Sequence, residues 1–334
     1  MRQIKILSSM VVATATVLAL TTTAPAEDLL KVAVAKRGVW QTAAPELGQR
    51  AGIFKKHGIA LDLSYPENED DTEVPVVSGG AELGVGVGIM DALRAYGKGA
   101  PLRIVGASMS GSASYWYVAA GSPIKTVKDL KGRSIAYWRN GPSSQYDVFD
   151  LMDRYRIKAR PVLTAGAVAT LDQVMSGHID VGWATAPFGV DAIEQNRIRM
   201  LAKANEIPRV RDKTVDVMIA SADTLQQRKD VLTRFLAAYR ETVDWMYSDA
   251  AALKEFAEFA GVSEGIAQRL RADFITKEML SPDAILGLKD TLKEAFKAKY
   301  LWTPLSKQQV ADLIQIPGGK PTRGWLRIFS PRSQ

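Results

Sequence analysis

The 334-residue sequence contains no cysteine and only two histidines, His57 and His178. Disulfide bridges and a lipid-attachment cysteine are therefore excluded, and any metal site is deprived of its best soft ligand. Also missing is a dense Arg/Lys run of the kind that follows a nucleic-acid backbone. The formal charge of +7 then implies only a weak preference for anionic partners, and no nucleic acid is expected. The acidic stretch 67–73 (ENEDDTE) lacks the glycine and the terminal spacing of a calcium loop, and reads as a solvated loop leading into a helix N-terminus. Both histidines stand beside glycines, Gly58 and Gly177, as surface turn residues. No nucleophile, base and metal ligands come together along the chain, so chemistry has little to work with.

What is present begins with a leader. Arg2 and Lys5 precede an apolar stretch from Ile6 to Leu20, and Ala24-Pro25-Ala26 fits a cleavage site before Glu27-Asp28. The apolar core is shorter than the roughly 20 residues a membrane-spanning helix needs. Residues 1–26 are expected to be a signal peptide and the mature chain to be periplasmic.

Short apolar strands alternate with helices over the next two hundred residues. Strands are expected at Lys31–Ala35, Ile59–Tyr65, Leu83–Val87, Leu102–Ala107, Ser114–Ala119, Ser134–Tyr137, Pro161–Thr164, Ile179–Trp183, Ile198–Ala202 and Val215–Ala220. Helices are expected at Ala44–Lys56, Ile89–Gly97, Ser143–Tyr155, Ala167–Ser176 and Pro187–Asn196, followed by a nearly all-helical C-terminal third. This order implies an α/β fold with mostly parallel sheets flanked by helices. A short pattern, Ser-Gly-x-x-acid-aliphatic-Gly, occurs at Ser78–Gly84 and again at Ser176–Gly182. Its first glycine suits a left-handed helix cap, and its aliphatic residue starts a strand. Two such units suggest two lobes of similar plan facing each other across a cleft. The expected division is lobe I from 27–115 and 218–334, with lobe II at 116–217. Two hinge crossings would lie near Ser114–Ala119 and Val215–Ala220, and the C-terminal helices would complete lobe I.

Ala51-Gly52-Ile53-Phe54-Lys55-Lys56-His57-Gly58-Ile59 resembles the "AGxFxKxGL" segment of the nitrate/sulfonate/taurine-type substrate-binding proteins of ABC importers. Ser122-Pro123-Ile124-Lys125-Thr126-Val127-Lys128-Asp129-Leu130-Lys131-Gly132-Arg133 is similar to that family's "SPIKSLADLKGK", and the repeated pattern to its two "GxxD" turns. The similarity runs from about Val32 to Leu201. It implies a two-lobed periplasmic-binding-protein fold (type II) that holds a small molecule between the lobes, acts as a monomer and delivers its ligand to an inner-membrane ABC permease.

By family position, ligand contacts come from loops at the carboxyl ends of strands and from a helix N-terminus. Trp40 and Gln41 follow the first strand, where an indole stacks on a ligand or else caps the sheet end. Gly86 and Gly88 belong to the alternating run Gly84–Gly88, which either lets main-chain amides approach an anion or packs tightly; Ile89 stands at the last required glycine, which removes a dinucleotide fingerprint. Ser143 and Ser144 open a helix, as caps or as anion contacts, with Arg139 just before them. Trp183 forms a ligand wall or core, and Pro187 follows it at a looser spacing than the family's "WxP". Ser110, Ser112 and Asp216 flank the crossings, and Asp216 suits a cationic group. Trp138 is a further aromatic candidate. The expected role is capture of a small organic anion, sulfonate or taurine-like or an aromatic carboxylate, without cofactor and without catalysis. A ligand sensor for a membrane signalling protein and an enzyme on the same fold, of pyrimidine-precursor or chorismate type, are the alternatives.

Overall fold

The computed structural model describes residues 27–68, 71–138, 140 and 144–318. Its strands are β1 (Asp28–Val34), β2 (Ile59–Ser64), β3 (Leu83–Gly88), β4 (Leu102–Ser110), β5 (Ser114–Ala119), β6 (Ser134–Tyr137), β7 (Arg160–Leu163), β8 (Gly182–Thr185), β9 (Ile198–Lys203) and β10 (Thr214–Ser221). Most of these fall within a residue or two of the sequence expectation. The helix expected over Ala44–Lys56 is broken into Ala44–Arg50 and Ile53–Lys56, because Gly52 between them is left-handed at φ 72°. Gly189, at φ 78°, likewise delays the helix expected from Pro187 until Val190–Glu194.

The first sheet has the order β2-β1-β3-β10-β4. In the second half, β7 pairs β6, and β8-β5-β9 form a ladder. A bridge between Ile135 and Val181 joins the two pieces, giving β7-β6-β8-β5-β9. The orders correspond strand for strand. In each sheet the fourth strand runs antiparallel to its neighbours: β10 against β3 and β4, β5 against β8 and β9. Those two strands enter just after the chain has crossed from the other half, so the sheets are mixed rather than wholly parallel. The crossings occupy 111–113 and 204–213. β10 is one continuous strand from Thr214, whereas the sequence boundary at 217/218 divides it.

The repeated motif has one structural job in both halves. Gly79 and Gly177 are left-handed, at φ 81° and 77°. Glu82 accepts a hydrogen bond from the Lys31 amide of β1 at 3.0 Å, and Asp180 accepts from the Ser134 amide of β6 at 2.8 Å. Each acid therefore holds the neighbouring parallel strand, at mid-strand in β1 and at the start of β6, and the next residue, Leu83 or Val181, pairs into that strand.

The helical C-terminal third serves both halves. Helix Lys229–Ser248 buries Phe235 against Phe54, with ring centroids 5.3 Å apart, under the first sheet. The turn Leu270–Phe274 instead reaches the second: Phe274 packs on Tyr115 at 5.4 Å, and Lys203 donates to the Asp273 carbonyl at 2.6 Å. The C-terminal segment therefore packs against both sheets.

Gly86 lies in the middle of β3 at φ 83°. Val85 pairs with Met218 and Val87 with Val217, leaving Gly86 as the extra residue of a bulge. A Cβ there would stand 2.8 Å from Thr42 and 2.9 Å from Ala35. Gly86→Ala is expected to lower unfolding free energy by about 1–3 kcal/mol through strain and overpacking. A urea midpoint measured against wild type checks this; an unchanged midpoint contradicts it.

Candidate functional site

A cavity of about 320 Å³ opens between the two sheets. Parallel strands leave unpaired main-chain groups at their carboxyl ends, and the chain turns there into helices or loops. Four such ends line the cavity, two from each half. After β1 comes Gln41; after β3, Gly88 with Ile89, Met90 and Asp91 opening helix Ile89–Gly97. After β6 come Trp138, Asn140 and Ser144, the last opening helix Ser144–Tyr155; at the end of β8 stand Trp183 and Thr185. The crossings supply the floor, through Gly111–Ser114 and Lys213–Asp216.

Gln41, Gly88, Ser144, Trp183 and Asp216, along with Ser112 and Trp138, therefore meet at one surface. Three other candidates do not. Trp40 is fully buried; its indole N–H donates to the Tyr247 hydroxyl at 3.0 Å, and its ring meets Phe256 edge-on at 4.8 Å. It holds the C-terminal helices to the loop after β1, while its neighbour Gln41 faces the cleft. Gly86 is the bulge glycine and re-aims the end of β3. Ser110 is buried, its hydroxyl sharing a 2.9 Å hydrogen bond with Thr214 between β4 and β10. Pro187 is not part of the lining. Arg139 and Ser143 lie outside the described residues. Nor is His57 a plain surface residue, since its Nε2 is 2.8 Å from Glu241; His178 meets Ser176, and neither histidine is among the residues lining the cavity.

The aromatic wall belongs to the second half. Trp138 and Trp183 stack with centroids 6.3 Å apart and planes 22° from parallel. Trp183 is 7% exposed and Trp138 39%, so the outer indole presents a face while the inner one backs it. Among the described residues, the buried Nε1 of Trp183 and the buried Oε1 of Gln41 have no hydrogen-bond partner. A buried polar atom left this way costs on the order of 1–3 kcal/mol. One is a donor and one an acceptor, on opposite walls.

Apart from Asp216, sequence reasoning missed the charged lining. Asp147 lies in the first turn of helix Ser144–Tyr155, and Lys213 lies in the second crossing. Lys213 is already paired with Glu294 of helix Leu288–Lys297, and Asp91 with Arg94 at 2.8 Å. Loss of water pushes the Asp147 carboxyl up to about 7; Lys213 opposes the shift, and Asp150 and Glu294 add to it. A regular acid at a helix start gave no signal in the sequence, because only folding brings Glu294 and Lys213 opposite it.

Residues 44–252, more than half of the chain, match the NMT1/THI5-like family model. The chain belongs to that family. A curated relative, the 4-amino-5-hydroxymethyl-2-methylpyrimidine phosphate synthase of Uromyces fabae, is 23% identical over 220 residues, 61% of this chain and 62% of that protein. The chain thus spans less than two thirds of that relative's length. Among solved structures, the periplasmic aliphatic sulphonate binding protein SsuA of Escherichia coli has a TM-score of 0.69 at 17% identity, covering 89% of this chain and 95% of that one. A putative sulfonate-binding SsuA from Methylobacillus flagellatus KT gives 0.68 at 17%, covering 87% and 92%. These likenesses establish the periplasmic-binding-protein fold. No helix among the described residues is long and apolar enough to cross a membrane.

Because the folded state raises the Asp147 pKa from an ordinary 3.8, it holds that proton more tightly than the unfolded chain does. This contribution stabilises at acid pH, is lost as pH rises from about 4 to about 7, and is flat above. Asp147→Asn should therefore melt higher than wild type at pH 8, with the difference shrinking towards pH 4. Paired melting curves at the two pH values check this; an equal difference at both rejects it.

Proposed function

We propose that this member of the NMT1/THI5-like family is the periplasmic substrate-binding protein of an ABC importer, and that it captures a small planar organic solute between its lobes for delivery to an inner-membrane permease. The carrying observation is the stacked Trp138–Trp183 wall, with the buried Trp183 N–H and Gln41 carbonyl on opposite sides of one cavity. A planar solute covers the indole face, and polar groups on its edge satisfy both orphan atoms. In this reading the lobes divide at the crossings, 111–113 and 204–213, and close over the solute by bending there.

The printed ligands of the structural neighbours are sulfonates, and an anionic group here would sit at the amino end of helix Ser144–Tyr155, where the helix dipole favours it. The wall itself favours something more than a plain anion. Its described charged side chains are Asp91, Asp147, Asp216 and a lysine already neutralised by Glu294. An inorganic anion would leave the indoles without a partner, which supports an organic body.

One observation favours a second reading. A carboxyl poised near neutral pH inside a cleft is what a general acid or base requires, and the curated relative is a synthase by name. Such an enzyme would route proton transfer through Asp147, since neither histidine lines the cavity.

Two measurements separate these readings. In a thermal-shift screen of aromatic carboxylates, sulfonates and amino-substituted heteroaromatics, a true ligand at 100 times its Kd stabilises by about 2.7 kcal/mol. The compound should be recovered unchanged; conversion would establish the enzyme. Trp138→Ala should weaken that ligand about 3- to 10-fold, the value of one aromatic face, without a comparable loss of melting temperature. Unchanged affinity would move the ligand off the indole wall.

A further inference from the structure

Positive charge is not spread evenly over the folded chain. The segment that joins helix Ser144–Tyr155 to β7 reads Arg-Tyr-Arg-Ile-Lys-Ala-Arg from Arg154 to Arg160, and its exposure alternates with its chemistry. Arg154, Arg156, Lys158 and Arg160 are exposed, while Tyr155, Ile157 and Ala159 pack against the core. The neighbouring segment adds two more cations. The Gly132 amide donates to the Lys158 carbonyl at 2.7 Å, the Arg160 amide donates to the Arg133 carbonyl at 2.8 Å, and Ser134 pairs with Arg160. Lys131 and Arg133, both exposed, therefore flank Lys158 and Arg160.

Nearby acids cancel little of this charge. Arg133 pairs with Asp180 at 3.3 Å, and the other five cations are in no ion pair among the described residues. Asp129 is turned back on the amides of Lys125 and Thr126, at 3.0 and 2.8 Å, and Asp153 stays exposed beside Arg154. Charges on an edge strand deter pairing with other chains, and β7 is such an edge. Only Arg160 lies in β7, however, so edge protection leaves the other five unexplained.

The patch occupies the amino ends of β6 and β7, whereas Trp138 follows the carboxyl end of β6 in the cleft wall. About 13 Å of strand separates the two, at about 3.3 Å per residue. None of the six cations lines the cleft or the other two cavities described, beside Arg103 and beside Lys203. A discrete anion therefore has no pocket there. The aromatic within the segment, Tyr155, packs inward, so base stacking on a nucleic acid has no platform. Long cationic side chains without a pocket suit a diffuse plane of negative charge.

We propose that this end of the second half is a membrane-facing surface, which holds the mature protein loosely against an anionic phospholipid bilayer while the cleft stays free to fill and empty. The chain has no cysteine to carry a lipid anchor, so the contact is reversible and set by salt. Each cation close to an anionic bilayer strengthens association by roughly fivefold.

The test sediments the mature chain, residues 27–334, with vesicles of phosphatidylcholine alone or with about 30% phosphatidylglycerol, at ionic strengths from about 0.05 to 0.5 M. Wild type should bind the anionic vesicles, come off at the highest salt and ignore the neutral ones. Removing four cations together, as Arg154→Gln, Arg156→Gln, Lys158→Gln and Arg160→Gln, should weaken partitioning at least about 100-fold, and either adjacent pair about 20-fold. The same loss of charge elsewhere, as Lys289→Gln, Lys293→Gln, Lys297→Gln and Lys299→Gln on and just after helix Leu288–Lys297, should cost less than about fivefold. Melting temperatures are read alongside, and the paired variants carry the comparison if the fourfold one is unstable. Wild type that misses the anionic vesicles or binds both kinds equally overturns the inference, as does an equal loss in the two fourfold variants. Binding to polyglutamate without binding to anionic vesicles assigns the surface to an acidic polypeptide and overturns it too. Each of these outcomes leaves the solute-binding reading standing, because that reading is tested at the cleft.

Discussion

The structure depends on an exchange of strands. Each time the chain crosses between halves, the first strand it forms must satisfy a full row of backbone donors and acceptors, and it does so in the middle of the sheet it has just joined. β10 enters between β3 and β4, and β5 enters between β8 and β9. Because these are central positions, the crossings are anchored by ladders on both sides and cannot wander. The cavity lies where they emerge, so the same hydrogen bonds that build the sheets also place Asp216 and Ser114 beside the strand ends that carry Gln41, Gly88, Ser144 and Trp183.

Around that frame the two halves have specialised. The second half contributes the paired indoles, and the first contributes Gln41, the Gly88 turn and the carboxylate of Asp91. Helix Leu288–Lys297 reaches from the C-terminal third to place Glu294 near the helix that bears Asp147. Aromatic faces tolerate many rings, whereas a desolvated carboxyl tolerates only a partner that neutralises it.

Much of the architecture was legible in the sequence because its signals are local. A left-handed glycine after a helix, an acid three residues later and an aliphatic strand start are recognisable as Ser78–Gly84 and Ser176–Gly182, and in both halves the acid accepts from an amide of the neighbouring parallel strand. The misplacements have local causes as well. Trp40 and Gln41 are adjacent, and which of them faces the cleft follows from a 3₁₀ turn over Trp40–Thr42 and from Tyr247, more than two hundred positions away. The Gly84–Gly88 run looked like a loop shaped for a ligand; one of its glycines is required by a bulge against β10, a strand that sequence order does not place beside β3.

By itself, the sequence determined the α/β order and the doubled plan, since periodicity and turn chemistry act over a few residues. Tertiary structure alone decided which side chains reach the cavity and what charge they carry there. Asp147 is an unremarked helix-start acid until packing strips its water and sets Asp150, Glu294 and an already committed Lys213 around it. Desolvation and long-range pairing are properties of the folded volume, and no stretch of chain encodes them alone.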